Sequence, residues 1–257
     1  MRSRIFVKPT WILMLLSTLF AASVNAECTS SSPAHSVAVL ELYTSEGCSS
    51  CPPADRWLSS IAAAGFNPDQ VIPLAFHVDY WDYIGWKDRF AKPAYSERQR
   101  DQVILGGRDT AFTPQIMLNG KNYRGWLSDA TFARDLVLIN KRPAIANIQL
   151  NLAANANAIT IKAAVTATVP TQKEAELYLA VYENDLNSAV RAGENRGEKL
   201  HHDYVVREWL GPYSLEGTTQ SINLNPEWKK TDLGVVALIQ NRHSGEILQA
   251  VTRKICS

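Results

Sequence analysis

The chain has 257 residues, with 26 Lys and Arg against 25 Asp and Glu and a formal net charge of +1. That balance gives no pull towards nucleic acid or anionic membranes. No basic run, internal repeat or low-complexity tract changes this reading.

The N-terminus carries Arg2, Arg4 and Lys8, then an apolar run from Trp11 to Ala22 that ends in Val24-Asn25-Ala26. A charged start, a short apolar core and a small-residue site predict a signal peptide over residues 1–26. The run is shorter than the ~20 residues a spanning helix needs, so the expectation is a periplasmic or secreted protein with no stable membrane insertion. The remaining chain is long enough for one large domain or two small ones. Four cysteines follow: Cys28, Cys48, Cys51 and Cys256. In an oxidising compartment their spacing proposes Cys48 with Cys51, and Cys28 with Cys256 as a structural disulfide tying the mature termini. Free thiols at the two ends are the alternative.

Residues 37–43, VAVLELY, predict a strand, followed by the turn-like Thr44-Ser45-Glu46-Gly47. A helix pattern runs from about Pro52 to Ala64, with Trp57, Leu58 and Ile61 on one face and Gly65 as its stop. Residues 71–78, VIPLAFHV, read as a buried strand, completing a right-handed βαβ unit. The segment 79–91 is irregular and aromatic. A second helix is expected over Pro93–Leu105, closed by Gly106-Gly107. Thr113-Pro114-Gln115 leads into a short strand, Ile116 to Leu118, and Asn119-Gly120 signals a hairpin. Ser128 caps a third helix to about Asn140, ended by Pro143. Beyond it come short β-branched segments, among them 158–169, 175–183, 202–210 and 234–240, which predict an all-β, sandwich-like region. The resulting organisation is an α/β domain over residues 34–142 and a β-sandwich-like domain over 143–257.

Cys48-Ser49-Ser50-Cys51 sits at the seam between strand and helix. A cysteine there is placed for thiolate stabilisation by backbone amides and the helix dipole. Pro52 and Pro53 remove two donors, which leaves the amides of Ser50 and Cys51 to face the Cys48 sulfur. Cys48 is the candidate attacking thiol and Cys51 the resolving one. A structural staple and a metal clip are the competing readings of the same four residues.

"YTSEGCSSC" resembles the active-site segment of glutaredoxins, and the order of elements resembles the thioredoxin fold. Carried over, Thr113 and Pro114 match that family's cis-proline loop, which lies against the active disulfide and pairs with substrate. The longer patterns "LELYTSEGCSSCPPAD", "FHVDYWDYIGWKDRFA" and "TPQIMLNG" resemble an uncharacterised bacterial family of exported thioredoxin-like proteins, a domain of unknown function. The resemblance implies an α/β thioredoxin-like domain followed by the all-β domain, but no substrate. Two departures stand out. Leu42 occupies the place of the buried Asp of thioredoxins, and Ser-Ser replaces their Gly-Pro.

The expected function is therefore that of a thiol–disulfide oxidoreductase, acting on a protein or small thiol/disulfide partner with no cofactor beyond its own redox-active disulfide. A non-enzymatic periplasmic binding module with a structural CxxC is one alternative. Copper(I) handling by the two thiolates, with His77 as a distant ligand, is a less favoured one. The bland reading of His77 is a satisfied core or strand-end histidine. The sequence holds no second CxxC or H-x-x-x-H to complete a zinc site. The aromatics of 79–91 read as a loop docked on the domain, with a ligand groove as the alternative. His201 and His202 lie on a strand and point to opposite faces. Their segment loosely resembles part of the β-domain of some bacterial outer-membrane-associated proteins, and is read as docking against the first domain.

Overall fold

The computed structural model describes residues 26–167 and 169–256; the expected signal peptide, apart from Ala26, lies outside them. In chain order the elements are β1 (Ala26–Ser31), β2 (Ala38–Thr44), α1 (Pro52–Ser60), β3 (Val71–His77), α2 (Pro93–Leu105), β4 (Gln115–Leu118), β5 (Lys121–Asn122) and α3 (Asp129–Asn140). There follow β6 (Ala146–Ala154), β7 (Ala158–Ala167), α4 (Val169–Glu174), β8 (Ala175–Glu183), β9 (Leu186–Ala189) and β10 (Lys199–His202). The last four are β11 (Val205–Tyr213), β12 (Thr218–Asn223), β13 (Leu233–Asn241) and β14 (Ile247–Lys254).

Strands β2 and β3 run parallel in full register, with α1 as the crossover between them. Both are buried along their whole length, as strands covered on two faces must be. Alternation sorts the side chains of β2. Ala38, Leu40 and Leu42 pack with Leu58, Phe132 and Leu136 of α1 and α3, whereas Val39 and Tyr43 pack with Tyr95 of α2. Glu41 lies on the same face as Val39 and is fully buried. It accepts hydrogen bonds from Arg98 Nε at 2.8 Å and Nη2 at 2.5 Å, and the guanidinium lies 3.9 Å over the Trp209 ring. A charge at that depth is tolerated only when paired.

The expected fold class, an α/β thioredoxin-like domain followed by an all-β sandwich-like domain, is corrected by the sheet topology. One eight-stranded sheet has the order β14-β13-β8-β11-β3-β2-β4-β5. Strands from both halves of the chain thus form one continuous, mostly β structure, and the join is the parallel pairing of Val205 in β11 with Ala75 in β3. A four-stranded sheet, β1-β6-β7-β12, packs on the β8–β13–β14 end through Ile148, Leu150, Ile161, Leu177, Val235 and Ala237. The strand β1 precedes the α/β segment in sequence but pairs antiparallel with β6. Periodicity shows which residues form strands. It does not show which edge each strand joins, and that is why the second half reads as a separate layer in the sequence. The helix expected over 52–64 also ends earlier, at Ser60.

Cys28 on β1 is bonded to Cys256 just beyond β14, with Cα atoms 5.9 Å apart. The bond fastens the first described strand to the last, across a sequence separation of 228. Replacing Cys256 by Ser should therefore lower the unfolding free energy by about 2–4 kcal/mol in urea titrations. A midpoint equal to that of the unsubstituted protein would show that the bond contributes nothing.

Candidate functional site

The turn Thr44–Cys51 leaves the C-terminal end of β2 and enters α1. Cys48 N donates to Ser45 O and Cys51 N donates to Cys48 O, which closes two successive tight turns. The Cys51 amide is thus spent on the Cys48 carbonyl and does not face the sulfur, contrary to the expectation from the prolines. The Ser50 hydroxyl, 3.3 Å from Cys48 Sγ, is a polar neighbour of that sulfur instead. Cys51 stands at the N-cap of α1, with Pro52 and Pro53 in the first turn. Its carbonyl accepts from Ala54 N and Asp55 N. Cys48 and Cys51 form a disulfide with Cα atoms 5.4 Å apart. Both are 0% exposed, while Ser49 and Ser50 between them are exposed.

A set of buried ionisable side chains lies around this turn. Glu46, two residues before Cys48, and Asp55, four after Cys51, flank the imidazole of His202 on β10. His202 is 2% exposed; its Nε2 is 3.5 Å from Glu46 Oε1 and its Nδ1 is 3.8 Å from Asp55 Oδ1. These are ion-pair rather than hydrogen-bond distances. Beside it, edge-on at 4.9 Å between ring centroids, lies His77 at the end of β3. Its Nδ1 is 2.6 Å from Asp88 Oδ2, and that oxygen also accepts from Glu46 N at 2.9 Å. Thr44 Oγ1 donates to Asp55 Oδ2, and Trp86 Nε1 donates to Glu46 Oε2.

The electrostatics follow from that packing. Burial opposes the charged form of His202, but the Asp55 and Glu46 carboxylates outweigh it and push the imidazolium up to about 10. Burial and the neighbouring Asp88 carboxylate work to raise the Glu46 carboxyl, yet His202, Ser188 and His77 together hold it below its ordinary range. Asp88 is likewise opposed by burial and held low by His77 and the amides of Glu46 and Phe90.

The other predicted residues fall nearby or elsewhere. The Thr113–Pro114 peptide is cis, and Thr113 Oγ1 accepts from Trp81 Nε1 at 2.7 Å. Trp81 in turn packs against Gly47, where an added Cβ would lie 3.1 Å from the Trp81 Cβ. The aromatic segment 79–91 is docked through Trp81 and Trp86, with Tyr83 left 82% exposed. His201 turns outward to Asp203, away from His202. Cys28 and Cys256 are at the far sheet, apart from this cluster. Among the described residues no three of His, Cys, Asp and Glu are arranged to hold a metal ion.

Glu46, Asp55, Asp88, Glu194 and Asn195 were not singled out by sequence. Glu46 and Asp55 carry a readable signal, since both sit within four residues of the CxxC and Asp55 falls between Ala54 and Leu58 on the buried face of α1. Asp88 lies in the aromatic 79–91 segment, and Glu194 and Asn195 in the stretch before His201 that reads as docking against the first half, but nothing in either stretch says which residues they meet.

The family described as protein of unknown function (DUF1223) matches residues 39–240. The chain belongs to that family. The matched region begins in β2, ends in β13 and includes the whole cluster. Among solved structures, a structural-genomics protein of Agrobacterium tumefaciens is 25% identical, with a TM-score of 0.61 over 85% of this chain and 94% of that one. HBP35 of Porphyromonas gingivalis is 16% identical, with a TM-score of 0.63 over 87% of this chain and 76% of that one, a likeness of fold alone. No curated protein matches the chain.

His202→Gln should cost about 3 kcal/mol at pH 7, because it leaves two buried carboxylates without their cation. The pH profile separates this from a packing defect. A raised folded-state value means that the stabilisation is complete below about pH 6.5 and fades as pH rises through about 10. The unsubstituted protein should lose stability over that window and the variant should not. Equal alkaline slopes would contradict the assignment.

Proposed function

We propose that Cys48 and Cys51 form a redox pair that exchanges with a protein or small thiol/disulfide partner. The observation that carries this reading is the cluster of Glu46, Asp55, His77, Asp88 and His202 around the disulfide. A staple needs no ionisable groups, whereas buried groups with displaced proton affinities, here His202, Glu46 and Asp88, gather where charge is made and lost. In the oxidised form, an external thiolate attacks Cys48 Sγ. The Cys48–Cys51 bond breaks, Cys51 leaves with the electron pair as thiolate, and a mixed disulfide forms. A second thiolate then attacks the outer sulfur, releasing the partner disulfide and the Cys48 thiolate. Two external thiols are oxidised and the cysteine pair is reduced; the run in reverse reduces a partner. Two disulfides suit an oxidising, exported setting, and no helix among the described residues is long and apolar enough to cross a membrane.

The complete burial of both sulfurs favours a second reading, a structural bridge in a non-catalytic binding module. The two part in a trapping experiment. Cys51→Ser, incubated with a small disulfide, should accumulate a mixed disulfide at Cys48, visible as a mass increment, and Cys48→Ser should form it far more slowly. Absence of any adduct on folded Cys51→Ser, with full adduct formation after unfolding, would leave only the structural bridge.

A further inference from the structure

The CxxC turn is contacted by a specific loop from the second half of the chain. Strands β9 and β10 pair only with each other among the described strands, as a two-stranded hairpin. Its connecting loop folds on itself: Val190 N donates to Glu198 O, Gly197 N to Val190 O, and Glu198 N to Asn195 O. The loop reaches the CxxC turn through Glu194 and Asn195. Glu194 Oε2 accepts from Ser49 N at 3.0 Å and from Ser49 Oγ at 2.7 Å. The buried Asn195 Nδ2 donates to the carbonyls of Glu46, at 2.9 Å, and Cys48, at 3.0 Å. Gly193, at φ +73°, lets the backbone lie close to the aromatic segment, since a Cβ there would meet Ile84 Cδ1 at 3.1 Å. A carboxylate therefore sits on the amide and hydroxyl between the two cysteines, and an amide caps the carbonyls before and at the first.

Resting on the exchange reading above, we propose that Gly193–Asn195 occupies the place of the exchange partner, and that the partner displacing it presents a carboxylate to Ser49. The donors of Ser49 point outward from an exposed residue and have an acceptor only while Glu194 is docked. An incoming thiol with a carboxylate near its sulfur replaces that acceptor as it reaches Cys48. A neutral thiol leaves the donors to water, and a cationic one faces them with the wrong charge. Ser49 N–H and O–H also hold the Glu194 carboxyl below its usual range, so these donors favour the ionised form. The loop is self-bonded and its hairpin is flanked by no other strand, so it can swing away as a unit while His202 keeps the hairpin rooted between Glu46 and Asp55.

The test compares reduction of Cys48–Cys51 in the folded, full chain by 3-mercaptopropionate, 2-mercaptoethanol and cysteamine. Each rate is divided by that of the same thiol with a small neutral disulfide, which removes differences in intrinsic reactivity. The expected result is a several-fold preference for the carboxylate thiol, lost in Ser49→Ala, with all three rates raised in Glu194→Gln. Equal normalised rates for the three thiols, or an unchanged preference in Ser49→Ala, would overturn the assignment of the carboxylate site. Rates unaffected by Glu194→Gln would overturn the covering role of the loop. If no thiol reduces the pair in either the unsubstituted protein or Glu194→Gln, the exchange reading itself fails, which is a separate outcome.

Discussion

A cation buried between two carboxylates holds the centre of this structure together. His202 reaches Glu46 before the first cysteine and Asp55 after the second, and so joins the hairpin of the second half to both flanks of the CxxC turn. At such separations, with an effective dielectric of about 20, each pair is worth on the order of 4 kcal/mol of Coulomb energy. Withdrawing the charges from water costs several kcal/mol per ion, so the cluster is a weak net stabiliser but a strong constraint. Any arrangement that separates the three leaves unpaired charge in the core. The hairpin is thereby fixed against the flanks of the CxxC turn, and the His77–Asp88 pair lies beside it.

The same joining of halves is visible in the sheet. The pairing of Val205 with Ala75 attaches β11 to β3, and β8, β13 and β14 extend the sheet from there. With β1 bonded to β6 and Cys28 to Cys256, the first described strand belongs to the far sheet. The CxxC turn thus stands where the α/β segment and the later strands meet, and the second half of the chain supplies its cover.

Local features of the fold were legible in the sequence. The parallel pair of VAVLELY and VIPLAFHV, the helix opened by Pro52 and Pro53, and the Ser128 cap, whose hydroxyl accepts from Thr131 N, follow from periodicity and end chemistry. The assembly was not, because β8, β11 and β13 have the same short β-branched character whether they close a separate sandwich or extend an existing sheet. The cysteines at the centre of the candidate site were legible from spacing alone. Its surroundings were only half so. The alternation of His201 and His202 correctly puts them on opposite faces, but nothing in that alternation says that His202 faces Glu46. Glu194 and Asn195 lie over 140 residues from the residues they touch, joined to them only by tertiary packing.

The account turns on whether the bond between Cys48 and Cys51 is one that opens in the folded protein. Its midpoint potential, read by equilibrating the native chain in thiol–disulfide buffers and counting alkylated cysteines by mass, tests this most directly. The account predicts two cysteines reduced above about −300 mV, at Cys48 and Cys51, while Cys28–Cys256 stays closed and the fold is retained. Reduction only below about −300 mV, or only together with Cys28–Cys256 as the chain unfolds, would contradict it.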